Sequence, residues 1–296
     1  MEQLREILNT LSPGLVLVSA EPFRAEEDGR AYAVWKLETG RGAMVLKKTT
    51  HKEREVYDTF FREGGPVPKV YAFGEITGET WMLMEFVSGE SMSGCTRDRL
   101  LLTLDALIES QKQWWDDRDH DGIGYGFQES WPNRCKRLPY LGELERAYQA
   151  YLDVFEQLPR TLCNDDLLPF NVLADESCAV ILDWEYGGIL PWPCAIARFL
   201  AFGEEGDGMF RMTREDRSFA LTYYYEHLIR EKGYSRAEYD RIMDLFFFKE
   251  YSEWVYCAAL SGDFEMEYYK KYNVMAKALA CKLGYLKEKG GEPCCD

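Results

Sequence analysis

The stretch from Thr161 to Glu185 constrains this chain more than any other. It opens with Thr161-Leu162-Cys163, turns through Asn164-Asp165-Asp166, and resumes as Asn171-Val172-Leu173. After a second turn, Ala179-Val180-Ile181-Leu182 leads into Asp183. Short apolar segments bounded by turn formers read as strands. The pattern is therefore strand, acidic loop, strand, turn, strand, with Asp166 and Asp183 at neighbouring strand ends. Asp, Asn and Pro are ordinary turn residues too, and without its flanks the loop would be a plain connection. With them, Asp166, Asn171 and Asp183 become three oxygen donors on a rigid loop and strand end. That set suits phosphoryl transfer from a metal-bound nucleotide, where positioning and charge neutralisation carry the rate. Asp166 would accept the proton of an acceptor hydroxyl, while Asn171 and Asp183 would offer hard oxygens to Mg2+.

In these residues the chain resembles the aminoglycoside phosphotransferase and choline kinase group, small-molecule kinases with a protein-kinase-like fold. The group's catalytic loop reads His-x-Asp, four residues, Asn, which Asp166 and Asn171 match; its metal strand reads Ile-Asp-Trp/Phe-Glu, matched by Asp183-Trp184-Glu185. The resemblance implies an α+β, two-lobed fold. Residues 1–88 would form a small antiparallel-sheet lobe with one helix that binds nucleotide, and residues 89–296 a larger, mainly helical lobe that binds the acceptor. It implies ATP and Mg2+ as cosubstrate and cofactor, and a small hydroxyl-bearing molecule as acceptor. Lys47, closing the strand Gly42–Lys47, resembles the lysine that steadies the nucleotide phosphates. Strand alternation puts Lys47 and Lys48 on opposite faces, so only one can enter the cleft. A helix is expected from about Lys52 to Arg62, with Val56, Phe60 and Phe61 buried. On it Glu55 is the expected partner of Lys47, with Glu53 as the alternative; either could also be a solvated acid at a helix N-terminus. Backbone groups from Glu85 to Val87 would meet the adenine, with Ile181 as its floor.

No Gly-rich phosphate loop is evident, as is often so in the small-molecule kinases this chain resembles, and two positions inside the motifs depart from the group's pattern. Between the strands Leu15 to Ser19 and Ala31 to Glu38 the segment from Glu21 to Gly29 holds one glycine and several acids, unlike a phosphate-cradling loop; Arg24 reads first as a solvated turn arginine and only second as a phosphate contact. The group's His is Asn164, and the Asp of its Asp-Ile-Ala sequence is Ala195 in Ala195-Ile196-Ala197. Losing one member of a buried polar pair strands the other at about 1–3 kcal/mol, whereas losing both can be nearly neutral. The double change therefore reads as compensated, with Asn164 holding the loop through amide hydrogen bonds. The alternative reading is a nucleotide-binding module that no longer transfers phosphate. Against it, Lys47, Asp166, Asn171 and Asp183 all persist.

Asp117, Asp119, Asp121 and Gly122 reproduce the opening of a calcium loop, but the twelfth position is Gln128 rather than the bidentate Glu such loops need. The segment reads as a solvated acidic loop. The net charge of −16 disfavours a nucleic acid partner, which would need a basic stripe. Residues 1–90 carry 11 basic and 15 acidic groups, leaving 24 and 36 for the remainder, a balance of −12 that would attract a cationic acceptor, aminoglycoside-like or choline-like. On helices expected from about Ala237 to Leu260 and Phe264 to Leu286, Phe247, Tyr251 and Trp254 share one face. Such stripes are ordinarily core, although aromatic faces also bind quaternary ammonium. Leu4, Ile7, Leu8 and Leu11 recur at helical spacing, unlike a secretory signal, and no run approaches the length of a membrane span. Nine scattered cysteines suit reduced thiols in a cytoplasm, and Cys294-Cys295 form an oxidisable pair without an evident function. The oligomeric state is not legible.

Overall fold

The computed structural model describes residues 1–24, 29–202 and 211–287. Strands β1 (Leu17–Arg24), β2 (Ala31–Thr39), β3 (Gly42–Thr49), β4 (Val70–Ile76) and β5 (Glu79–Glu85) form one antiparallel sheet in the order β1-β2-β3-β5-β4. Period-two alternation sends Met44, Leu46, Trp81 and Leu83 to one face, where Ile7, Leu8 and Leu11 of α1 (Glu2–Leu11) cover them. Val45, Met82 and Met84 point to the other face, into a core shared with Val56, Tyr57 and Phe60 of α2 (His51–Phe60). The small lobe thus carries two helices where the resemblance implied one. The added helix follows from the stripe of Leu4 to Leu11, which closes a sheet face that would otherwise be wet; burying Ile7, Leu8 and Leu11 contributes roughly 5–9 kcal/mol before entropy.

The large lobe begins with β6 (Glu90–Ser91) and α3 (Arg97–Gln113), followed by α4 (Phe127–Cys135) and α5 (Glu145–Gln157). Next come β7 (Arg160–Asn164), β8 (Val172–Ala174), β9 (Ala179–Ile181) and β10 (Gly187–Pro191), then α6 (Pro193–Ala201), α7 (Arg214–Tyr224), α8 (Arg236–Ser261) and α9 (Glu267–Lys282). β6, β8 and β9 form a small sheet, and β10 pairs antiparallel with β7. These two sheets are the frame for the acidic loop. β10 has no clear signal in the sequence because it opens on Gly187-Gly188. Glycine is required at 188 because a Cβ would collide with the backbone of Gly126 and Ile123. α8 starts where predicted: Ser235 and Glu238 form a reciprocal capping box, and Gly262 ends the helix with φ +73°.

Helix α2 is fixed between the lobes. Its Phe60 meets Trp114 edge-on at 5.0 Å, Phe61 just beyond it meets Trp184 at 4.7 Å, and Lys52 pairs with Glu129. The calcium-like segment is used internally. Asp117 accepts from the backbone N–H of His120 at 3.1 Å, and Asp121 pairs with the buried guanidinium of Arg160. The aromatic stripe of α8 continues onto α9 as a ladder. Tyr251 stacks on Tyr272 at 5.5 Å and Trp254 on Tyr268 at 4.6 Å, so the rings largely cover one another's faces. No helix among the described residues is long and apolar enough to cross a membrane. Cys294 and Cys295, and the stretch 25–28 of the expected phosphate cover, lie outside the described residues.

Candidate active site

Lys47 points from β3 into the space between the lobes, and Lys48, on the opposite face, pairs with Glu79 across the sheet surface. The Lys47 ammonium donates to Glu53 Oε1 at 2.8 Å and to Asp183 Oδ1 at 2.7 Å. Burial lowers its proton affinity, but the two carboxylates outweigh burial and hold the ammonium well above its usual range. The partner of Lys47 is therefore Glu53, not Glu55. Helix geometry decides this: Thr50 caps α2 by accepting from the Glu53 N–H, which puts Glu53 in the first turn facing the sheet. Two residues on, Glu55 points some 200° around the helix and accepts from the Gly124 N–H at 3.4 Å instead. Glu53 is only 1% exposed, and its carboxylate also takes the hydroxyl of Thr49 and the N–H of Trp184 at 3.1 Å. Burial of this kind was legible in part, since Glu53 lies one turn before the apolar Tyr57 and Val56.

Asp183 follows β9 with φ +54° and ψ +73°, the left-handed region, which Asp tolerates better than most residues but at a cost of order 1–3 kcal/mol. The strain is held by what surrounds it. Glu53 takes the next N–H, and Trp184, buried beneath Phe61, donates its indole N–H to Ile181 O at 3.1 Å. Asp183 itself keeps 45% of its side chain exposed, and its second oxygen accepts no hydrogen bond among the described residues.

The backbone of the acidic loop is tied down by the side chains around it. Asn164, at the end of β7, donates through Nδ2 to Asp183 O at 2.9 Å and Leu182 O at 3.3 Å, while its Oδ1 accepts from the Asp166 N–H at 3.0 Å. Asn171 donates through Nδ2 to Asp166 O at 2.9 Å, leaving its own Oδ1 without a donor among the described residues. Beneath the loop, buried Arg134 grips Asp165 at 2.7 and 2.8 Å and also donates to Tyr151 and Ser130. Burial pushes the Asp165 carboxyl up, but the guanidinium outweighs it and holds it below the usual range. Asp166 has the opposite balance: burial raises it, Arg198 pulls it down, and nearby Asp183 pushes it up, leaving it raised. The single amide of Asn164, bonded to Asp183 O and to the Asp166 N–H, holds the two acidic residues beside each other. Uncommitted oxygens of Asp183 and Asn171 are hard donors of the kind a Mg2+ ion takes, so the residues present fit that ion.

Two expectations for the nucleotide wall change. Ile181 is fully buried and pairs with Val172 on the core face of its strand, so it cannot be an adenine floor. Since strand side chains alternate, the half-exposed face belongs to its neighbours: Leu173 and Val180, which are cross-strand partners, and Leu182. At the hinge, Glu85 turns its N–H to Lys69 O at 2.8 Å and its carboxylate to the Lys69 N–H, whereas the Val87 N–H donates to none of the described residues. Two side chains missed from sequence complete the surroundings. Lys36 of β2 lies over the Phe86 ring at 4.5 Å, and Arg198 of α6 holds Asp166 Oδ1. Arg198 carries no sequence signal, because only the docking of α6 beside the loop brings it there.

A two-lobed fold with a lysine–glutamate pair above an Asp, Asn, Asp group defines a phosphotransferase, and sequence comparison agrees. The chain belongs to the phosphotransferase enzyme family, whose model matches residues 19–228, and is a small-molecule kinase. Among solved structures it is similar to a thermostable mutant of aminoglycoside phosphotransferase APH(4)-Ia in ternary complex with ADP and hygromycin B, with TM-score 0.61 and 13% identity over 96% of this chain and 99% of that one. It is also similar to the choline kinase LicA from Streptococcus pneumoniae (TM-score 0.57, 14% identity, 96% and 99% covered). A third is a spectinomycin phosphotransferase, APH(9)-Ia, in complex with ADP and its antibiotic (TM-score 0.55, 15% identity, 96% and 98% covered). At such identities the likeness carries the fold. No curated protein matches the sequence.

Proposed function

We propose that this protein transfers the γ-phosphate of ATP, with Mg2+, to a hydroxyl of a small cationic acceptor, aminoglycoside-like or choline-like. The observation that carries the reading is the convergence of Lys47, Asp166, Asn171 and Asp183 at one site between the lobes. Asp166 orients the acceptor hydroxyl and takes its proton through the oxygen left free by Arg198. Lys47, oriented by Glu53, steadies the nucleotide phosphates. Asn171 and Asp183 are the residues that would hold Mg2+, which when bound neutralises charge developing on the transferred group. The adenine lies against Leu173, Val180 and Leu182, with the Val87 N–H as its backbone donor.

The acidic balance of the large lobe supports a cationic acceptor, and relatives in fold bear the names of aminoglycoside and choline kinases, two of them captured with ADP and an antibiotic. The lobes divide at residues 88 and 89, after the first sheet ends at Glu85 and before β6 joins the second. The odd number and scattered spacing of the cysteines along the sequence support a cytoplasmic setting. The test is ADP release with and without Mg2+ across aminoglycosides, amino alcohols, sugars and amino acids, against an Asp166→Ala control. Turnover confined to cationic acceptors is expected. Nucleotide binding with no release above the control would instead favour a non-transferring nucleotide-binding module.

A further inference from the structure

We infer that Arg198 is the positioning residue for phosphoryl transfer: it selects which oxygen of Asp166 faces the acceptor and ties that choice to helix α8. The inference rests on the proposed role of Asp166 and adds a residue outside both sequence motifs. Arg198 Nη2 and Nε lie 2.7 and 3.2 Å from the same atom, Asp166 Oδ1. That occupies one oxygen completely and leaves Oδ2 as the free acceptor. The backbone of Asp166 is held separately, its N–H by Asn164 and its C=O by the side chain of Asn171 and the N–H of Leu168. Those bonds fix where the residue sits, but none of them fixes rotation of its carboxylate.

The guanidinium is in turn anchored at its far end. Its Nη1 donates to Glu250 Oε2 at 3.0 Å and lies 3.8 Å from Glu253 Oε2, both on α8. Glu250 is 1% exposed and is shared with buried Lys249 at 2.9 Å; Glu253 is shared with Lys249 and Arg137. Three cations and three carboxylates, Asp166 included, close into one chain, so Arg198 cannot swing to solvent without leaving buried Glu250 short of a partner. A planar fork with its two ends on two elements is a function that lysine cannot reproduce, since an ammonium is a single point donor on a flexible stem. Trp254, next to Glu253, belongs to the aromatic ladder of α8 and α9. A shift of α8 on acceptor binding would therefore reach the transfer oxygen through one side chain.

The test compares wild type with Arg198→Lys, Arg198→Gln and Glu250→Gln by ADP release, using the best acceptor from the screen above, or water if none exceeds it. Affinity and stoichiometry for a fluorescent ADP analogue are measured in parallel. Misplacing a catalytic group by about 1 Å can cost about 100-fold. The expected result is kcat down at least about tenfold in Arg198→Lys, with the KM for ATP, nucleotide affinity and binding stoichiometry within about twofold of wild type. Arg198→Gln should lose more and Glu250→Gln less, with the same split. Arg198→Lys keeps the charge beside Glu250, so it remains informative if Arg198→Gln fails to fold. A kcat within about twofold of wild type in Arg198→Lys overturns the inference, as does a loss that appears only in nucleotide affinity, which would make Arg198 a phosphate contact. Wild-type protein that releases no ADP above Asp166→Ala would instead sink the transfer reading itself.

Discussion

Replacing Asn164 with alanine should loosen the active loop while leaving the rest of the fold in place. The amide joins three backbone points, the carbonyls of Leu182 and Asp183 and the N–H of Asp166, and with 1% exposure the site admits no water to replace it. An orphaned buried donor or acceptor costs about 1–3 kcal/mol. Counting the two shorter bonds, to Asp183 O and from the Asp166 N–H, the loss is about 2–6 kcal/mol. A central value of about 4 kcal/mol lowers the Tm by roughly 6 °C, since a chain of this length has an unfolding entropy of about 0.6 kcal/mol/K. Calorimetry or urea unfolding reads the stability, and ADP release reads the loop, where about 100-fold is expected from a displaced Asp166. Asn164→Asp sharpens the comparison: it keeps the acceptor for Asp166 but aims an anionic oxygen at two carbonyls, so it should fare no better than alanine. Asn164→His alone lacks an acid at position 195, and pairing it with Ala195→Asp should recover more than half of the lost stability. A stability change under about 0.5 kcal/mol with full activity in Asn164→Ala would refute the account of the loop.

Three further outcomes follow from the same geometry. Glu53→Gln should lower kcat/KM for ATP by about tenfold or more, since charge-assisted bonds are about twice as strong as neutral ones, whereas Glu55→Gln should stay within about threefold; the reverse order in steady-state kinetics would mean that Lys47 is oriented otherwise. Arg134→Met strands the Asp165 carboxylate and should cost about 3–5 kcal/mol at pH 7. Because Arg134 depresses the Asp165 carboxyl in the folded state, that stability is complete above its unfolded value of about 4 and is lost as pH falls through the lower folded value. The gap between wild type and Arg134→Met in acid titrations of unfolding should accordingly narrow below about pH 4. Gly124→Ala should destabilise by at least about 2 kcal/mol, because Gly124 sits at φ +60° where a Cβ would run into Val56 and Gly187 O; chemical denaturation with an unchanged midpoint would contradict the packing of α2 on the large lobe.

Local chemistry is what the sequence carried. The strand ends bearing Asp166, Asn171 and Asp183, the face of β3 that presents Lys47, the span of α8 and the stripe of α1 all follow from alternation, helical period and turn residues, which act within a few positions of one another. Glu53 against Glu55 turned on where α2 begins, and one capping hydrogen bond from the Glu53 N–H to Thr50 decided it. Ile181 against its neighbours turned on a register of one residue, which inverts every side chain of a strand and is set by pairing with β8. Arg198, the Arg134–Asp165 pair and the anchoring carboxylates of α8 depend on contacts between positions tens of residues apart. No pattern along the chain encodes such distances. They exist only once the helices have packed, and it is burial then that turns ordinary charged residues into obligatory partners.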